Sequence, residues 1–168
     1  MRISDWSSDV CSSDLLLGRW HKANTSPVCF GARNHQFGKF SLPSQGNLGA
    51  IKLVHLYGFV SCNTGSNVYW SFWGCGTYTD QVNVVVTNAA NQIILPSNQF
   101  ILDSSKWSRV TMPSSNTAFA PEIVFSVFSP RRVYKGQQFR LWYGEDLTGL
   151  TELDNGGRSC CDVYALYV

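Results

Sequence analysis

Charge is scarce in this chain. Asp, Glu, Lys and Arg make up 14% of its residues, against about 25% in an ordinary soluble domain. No basic run exceeds Arg131-Arg132, so the cationic stripe that grips nucleic-acid phosphates is missing. No apolar stretch approaches the ~20 residues that cross a bilayer as a helix. No long window carries the i, i+3, i+4, i+7 apolar stripe of an amphipathic helix. The paired CxxC or Cys/His spacings of a zinc site are absent, as are the GxSxG, HExxH, Walker and GxGxxG patterns of common enzymes. A catalytic triad can assemble from distant positions without a local signature, but nothing here points to one. Nucleic-acid binding, helical membrane insertion and most enzyme classes are therefore disfavoured.

The chain has 168 residues, 44% of them hydrophobic and 14% aromatic, with fourteen glycines. That length buries a full core, and that balance is opposite to disorder. Residues 1–15, MRISDWSSDVCSSDL, stand apart. They have neither strand nor helix periodicity, and they lack the cationic start and apolar centre of a signal peptide. The string resembles the conceptual translation of a sequencing adapter and is read as a non-native, disordered tail. Without Arg2, Asp5, Asp9 and Asp14, thirteen basic and eleven acidic residues become twelve and eight, and the net charge of +2 becomes +4. Cys11 also leaves the cysteine count. Residues 20–168 then read as one domain.

Within that domain, strand signals recur about every ten residues. In AIKLVHLYGFVSC (50–62), Ile51, Leu53, His55 and Tyr57 alternate with Ala50, Lys52, Val54 and Leu56, and Gly58 offers a bend or bulge. QVNVVVTN (81–88) is the most β-branched run. VYWSFW, QIIL, QFIL, EIVFSVF, QFRLWYG and SCCDVYALYV follow the same style, separated by Asn, Ser, Pro and Gly clusters. Val, Ile and aromatic runs punctuated by turn residues predict an all-β domain. About ten short strands with both faces partly apolar predict two packed sheets, a jelly-roll-like β-sandwich.

Five cysteines remain: Cys29, Cys62, Cys75, Cys160 and Cys161. Among glycine-rich strands they indicate a disulfide framework matured in an oxidising compartment, so the protein is expected to be secreted. Cys62 and Cys75 flank an aromatic hairpin, and a bridge closing that loop would contribute about 3 kcal/mol. Cys29 is left to pair with Cys160 or Cys161. Alternation puts these two on opposite faces, and the leftover thiol could join a second chain. Asn24-Thr25-Ser26 is a glycosylation sequon, which makes Asn24 a candidate glycan site.

Two constellations could bind something. GEDLTGLTELDNGGRSCCD gathers Glu145, Asp146, Glu152 and Asp154 beside Asn155. Carboxylate and amide oxygens in a glycine-rich loop suit Ca²⁺, which takes six to eight oxygen ligands. The spacing is not that of an EF-hand, and a solvated acidic turn fits the same composition. Glu145 and Asp146 could also be considered as the acid and base of a glycoside hydrolase, although neighbours at a strand end would point apart. The second constellation is aromatic: Tyr69, Trp70, Phe72, Trp73 and Tyr78. Alternation sends Trp70 and Phe72 to one face and Tyr69 and Trp73 to the other. One face is core, and the opposite one could expose Tyr69 and Trp73 to a sugar ring or a protein partner. His55 lies inside a strand pattern and reads as a packed residue.

Taken together, SPVCFGAR, AIKLVHLYGFVSCN, YWSFWGCG, PEIVFSVFSP, FRLWYGEDL and DNGGRSCCDVYALYV resemble a group of secreted domains from cnidarians, across roughly residues 20–168. The resemblance implies an extracellular β-sandwich and carries no activity with it. It also implies that the family's cysteines fall on Cys29, Cys62, Cys75 and Cys160, so that Cys29 pairs with Cys160 and Cys161 is the odd thiol. The first expectation is an extracellular binding or adhesion module for a glycan or protein ligand, with Ca²⁺ in the acidic loop. A structural matrix component, disulfide-linked into a dimer through Cys161, is the second. A hydrolase using the acidic loop is the third.

Overall fold

The computed structural model describes residues 19–97, 110–111 and 116–168, with 110–111 described by backbone alone. The tail 1–15, Cys11 and the QFIL segment lie outside the described residues. Along the chain run β1 (Arg19–Lys22), β2 (Val28–Gly31), β3 (Gly38–Ser41), β4 (Gly46–Ser61), β5 (Trp70–Ser71), β6 (Gln81–Val82), β7 (Val84–Asn88), β8 (Ile93–Leu95), β9 (Val110–Thr111), β10 (Glu122–Val133), β11 (Gln138–Tyr143), helix α1 (Gly144–Thr148) and β12 (Gly156–Tyr167).

One antiparallel sheet has the order β1-β12-β4-β10, with β2 also pairing β12 and β5 pairing β4. The second has the order β3-β11-β7-β8, and β6 and β9 form a separate ribbon. The long central strands carry the period-two pattern that makes a sandwich. Ile51 and Leu53 of β4, Ile123 and Phe125 of β10, and Val163 and Ala165 of β12 point inward. They share one buried cluster with Val84 and Val86 of β7 and Phe139 and Leu141 of β11. Each Val, Leu, Ile or Phe among them contributes about 1.5–3 kcal/mol when fully buried. The protein is an all-β sandwich tied by two disulfides.

The strand β7 explains its own composition. Val85 points away from the sandwich interior yet is as buried as Val84 and Val86. Trp142 stands directly opposite it on β11, and Phe37 lies over Trp142 with ring centroids 4.5 Å apart. The segment leading into β3 therefore covers the outer face of the second sheet.

Two expectations are corrected by register. In β4, Tyr57 pairs with Cys160 and His55 with Cys161, so Leu56 is an extra residue in a bulge. Tyr57 is thereby turned out of the face that holds Ile51 and Leu53, and it is exposed. On β12 the register with β4 shifts between Cys160 and Cys161, but the two keep the opposite faces that alternation requires, Cys161 in the core cluster and Cys160 bonded to Cys29, and both are buried. VYWSFW is not a continuous strand. Asn67–Tyr69 is a 3-10 turn and only Trp70–Ser71 joins the sheet, which breaks the alternation assumed across it.

The pairings Cys29–Cys160 and Cys62–Cys75 are both present. Cys29 and Cys160 are register partners on β2 and β12, with Cα atoms 4.0 Å apart. Cys161 is a free thiol, fully buried among Val163 and the rest of the core cluster. Burial pushes its pKa up, and the neighbouring Asp162 charge adds to this. A disulfide to a second chain through Cys161 would require the core to open, so that expectation is withdrawn. Among the described residues, no helix is long and apolar enough to cross a membrane.

Candidate functional site

The acidic segment begins where β11 ends. Glu145 and Asp146 do not sit on a strand end with opposed side chains. They occupy the first turn of α1, where free backbone N–H groups favour carboxylates. Gly149, at φ 66°, ends the helix in the left-handed conformation.

From α1, Asp146 reaches the segment before β3. Its Oδ1 accepts from the His35 N–H at 2.6 Å and its Oδ2 from the Gln36 N–H at 2.8 Å. Glu152 Oε2 accepts from the Asn34 N–H at 3.2 Å. Asn34 and His35 have φ of 66° and 58°. This left-handed backbone presents successive amides to one side as an anion-holding nest, and here the anions are the protein's own. The Asp146 and Glu152 carboxyls also meet each other. Burial pushes the Asp146 carboxyl up, the two backbone bonds pull it down, and the Glu152 side chain and charge push it up again, so it lies above the usual aspartate range.

The second pair is Glu145 and Asn155. Asn155 Nδ2 donates to Glu145 Oε2 at 2.7 Å and to the Ala32 carbonyl at 3.2 Å. Asn155 is fully buried, and its Oδ1 has no hydrogen-bond partner. Asp154 is exposed, and its carbonyl accepts from the Thr64 N–H.

The five residues expected to ligate one cation thus divide. Among the described residues, no three His, Cys, Asp or Glu side chains gather as a metal site, because Asp146 and Glu152 are turned onto the 34–36 amides. Asp146, Glu152 and the orphaned Asn155 Oδ1 are the right donor type for Ca²⁺, but they fit it only in part. Glu145 and Asp146 are also both buried, which leaves no access for a glycosidic bond between them and counts against the hydrolase expectation.

The aromatic expectation is reversed. Trp73 is 0% exposed, and its indole N–H donates to the Ala120 carbonyl at 2.8 Å while its ring stacks on Phe30. It is core, not a ligand platform, because the Phe72 and Trp73 amides bond the Ala118 carbonyl and draw this segment inward. Tyr69 is half-buried in the 3-10 turn. An open groove of about 410 Å³ is lined by the exposed Phe59, by Trp70, which is half-buried like Tyr69, and by Asn67. Sequence reasoning missed Phe59, whose outward direction follows from the bulge at Leu56. His55 is half-buried, stacked on Phe72 at 3.8 Å, with Nε2 2.8 Å from the Gly58 carbonyl. It packs as expected.

Asn24 is occupied. Its Nδ2 donates to Asp162 Oδ1 and to the Ser26 carbonyl, and its Oδ1 accepts from the Val163 N–H. A glycan would replace one of the two amide hydrogens already in use.

Two facing antiparallel sheets, two disulfides and a polar loop cluster at one sheet end define a disulfide-linked β-sandwich domain of the kind that matures in an oxidising compartment. A scan against protein-family models and a search of curated proteins found no match. Among solved structures, the chain is similar to AJLec from the sea anemone Anthopleura japonica. The identity is 34%, over 90% of this chain and 98% of that one, with a TM-score of 0.77. The chain belongs to the AJLec family.

Proposed function

We propose that this domain is an extracellular carbohydrate-binding module and that it is not an enzyme. The observation that carries this reading is the likeness to AJLec, a sea anemone lectin, over 98% of that protein's length. The two disulfides support secretion, and the partner is an extracellular glycan.

The cation reading belongs to the same proposal, in narrowed form. Asp146, Glu152 and Asn155 would supply oxygens to Ca²⁺, with Glu145 holding the Asn155 amide in place. Bound Ca²⁺ would draw the raised Asp146 carboxyl into its charged form and tie α1 to the 34–36 segment beside the glycan surface. Asp154 is left out of this set because it points to solvent.

Glycan-array binding with and without EDTA tests both parts. Glycan binding abolished by chelation and restored by Ca²⁺ supports both. Binding indifferent to EDTA and to Asp146→Asn removes the cation and keeps the lectin. Absence of binding to every glycan returns the protein to a structural role.

A further inference from the structure

We infer that the groove between Phe59 and Trp70 is a saccharide subsite, in which the apolar face of one pyranose ring rests on aromatic side chains. This rests on the carbohydrate-binding reading and adds the surface that contacts the ring.

The groove is built at a sheet edge by residues from three elements. Phe59 lies on β4 and is 49% exposed. Trp70 opens β5, pairs with Ser61 and is half-exposed. Asn67, exposed in the 3-10 turn before it, completes the lining. Cross-strand partners share one face of a sheet. Arg158, the exposed β12 partner of Phe59, is therefore on the same side.

Trp70 is held in position by the absence of a side chain. A Cβ at Gly157 would lie 2.5 Å from Cζ3 of Trp70 and nearer still to the Phe59 carbonyl. Gly157 has φ +85°, a backbone that disfavours any other residue. The indole consequently packs onto bare β12 backbone, and its position is set by the sheet. A ring already ordered in this way loses little entropy when a ligand covers its open side.

The chemistry of the lining selects the ligand. The exposed Phe59 ring and the half-buried Trp70 ring offer a non-directional apolar surface, matched by the C–H face of a pyranose. An amide at Asn67 and a guanidinium at Arg158 offer donors in the same neighbourhood, matched by ring hydroxyls. The volume falls in the range of small-ligand sites, roughly 300–1,000 Å³.

The test is a glycan array followed by calorimetric titration of the strongest oligosaccharide against wild type, Trp70→Ala, Trp70→Phe, Phe59→Ala and Asp146→Asn, each checked for fold by circular dichroism. Loss of an aromatic contact worth about 0.5–1.5 kcal/mol lowers affinity about 2–10-fold. That loss is expected for Trp70→Ala and Phe59→Ala, with Trp70→Phe close to wild type. In ¹H–¹⁵N spectra the Trp70 indole N–H should shift on titration. If Trp70→Ala fails to fold, the exposed Phe59→Ala and the Trp70 indole shift decide. Unchanged affinity in both alanine variants, or an unmoved Trp70 indole signal, overturns the subsite while the lectin reading stands. A wild-type protein that binds no glycan overturns both.

Discussion

Asn24 and Asp162 stand 138 residues apart in the chain, and the amide nitrogen of the first donates to the carboxylate of the second at 2.8 Å. Lys22 Nζ meets the other oxygen of that carboxylate at 3.0 Å. The same Asn24 side chain accepts from the Val163 N–H on β12. One small polar side chain therefore holds the exit of β1 against the closing strand. Truncation to Ala would leave the Val163 amide and the Asp162 carboxylate each short of a partner. Asn24→Ala is expected to lower stability by about 2 kcal/mol, read as a lower urea midpoint at unchanged m-value. Intact mass of secreted wild type is expected to show Asn24 without a glycan.

The acid limb of stability carries a sign set by Asp162. Partial burial pushes its carboxyl up, but the Asn24 hydrogen bond and the Lys22 ammonium outweigh this, and its pKa lies below the usual value. A depressed folded-state pKa stabilises the protein above the unfolded value of about 3.9, and this is lost as pH falls through the folded value. Asp146 has the opposite sign. Its raised carboxyl binds a proton more tightly in the fold, a contribution present below about 3.9 and lost as pH rises through the raised value. Melting curves across pH should show Asp162→Asn less stable than wild type near neutrality, with the gap closing toward pH 2–3.

Cys161 is expected to resist iodoacetamide in the native state and to be alkylated after denaturation without reductant, read on its own tryptic peptide. Full burial blocks access, and the raised pKa removes the thiolate that would attack. Non-reducing gels of wild type and Cys161→Ala should show the same monomer band. A dimer band lost in the variant would contradict the packing of β12.

Trp73→Ala is expected to cost about 3–5 kcal/mol, in line with removing a large aromatic from a packed core. Tyr69→Ala, at a half-buried position in a short turn, is expected to cost about 1 kcal/mol. Thermal melts of the two variants compare them directly. Equal losses would mean that the inward turn at Ala118 and Ala120 is not what holds Trp73.

Reduction removes two different constraints. The 13-residue separation of Cys62 and Cys75 and the 131-residue separation of Cys29 and Cys160 predict about 3 and about 5 kcal/mol in the chain-entropy account. Cys29→Ala/Cys160→Ala should therefore melt below Cys62→Ala/Cys75→Ala.

The strands with a regular period are legible in the sequence itself. Ile51 and Leu53 face the core as their alternation requires, and the valine run of β7 is buried on both sides. The acidic cluster is legible as a cluster, since four of its acids fall within ten residues of one another. Its division into Asp146–Glu152 and Glu145–Asn155 is not legible there. The amides of residues 34–36 that claim Asp146 and Glu152 come from more than a hundred positions away.

The amino-acid order alone determined the class of this protein: a period-two apolar pattern with turn residues between runs makes sheets. That is a local property, readable one segment at a time. The tertiary structure decided which aromatic faces water. The bulge at Leu56, opposite Cys160–Cys161, exists only relative to a partner strand, and one residue of register exchanges inside for outside. Trp73 went to the core and Trp70 to the surface because Ala118, Ala120 and Gly157, all distant in sequence, offered the former a carbonyl and the latter a bare backbone to lie on.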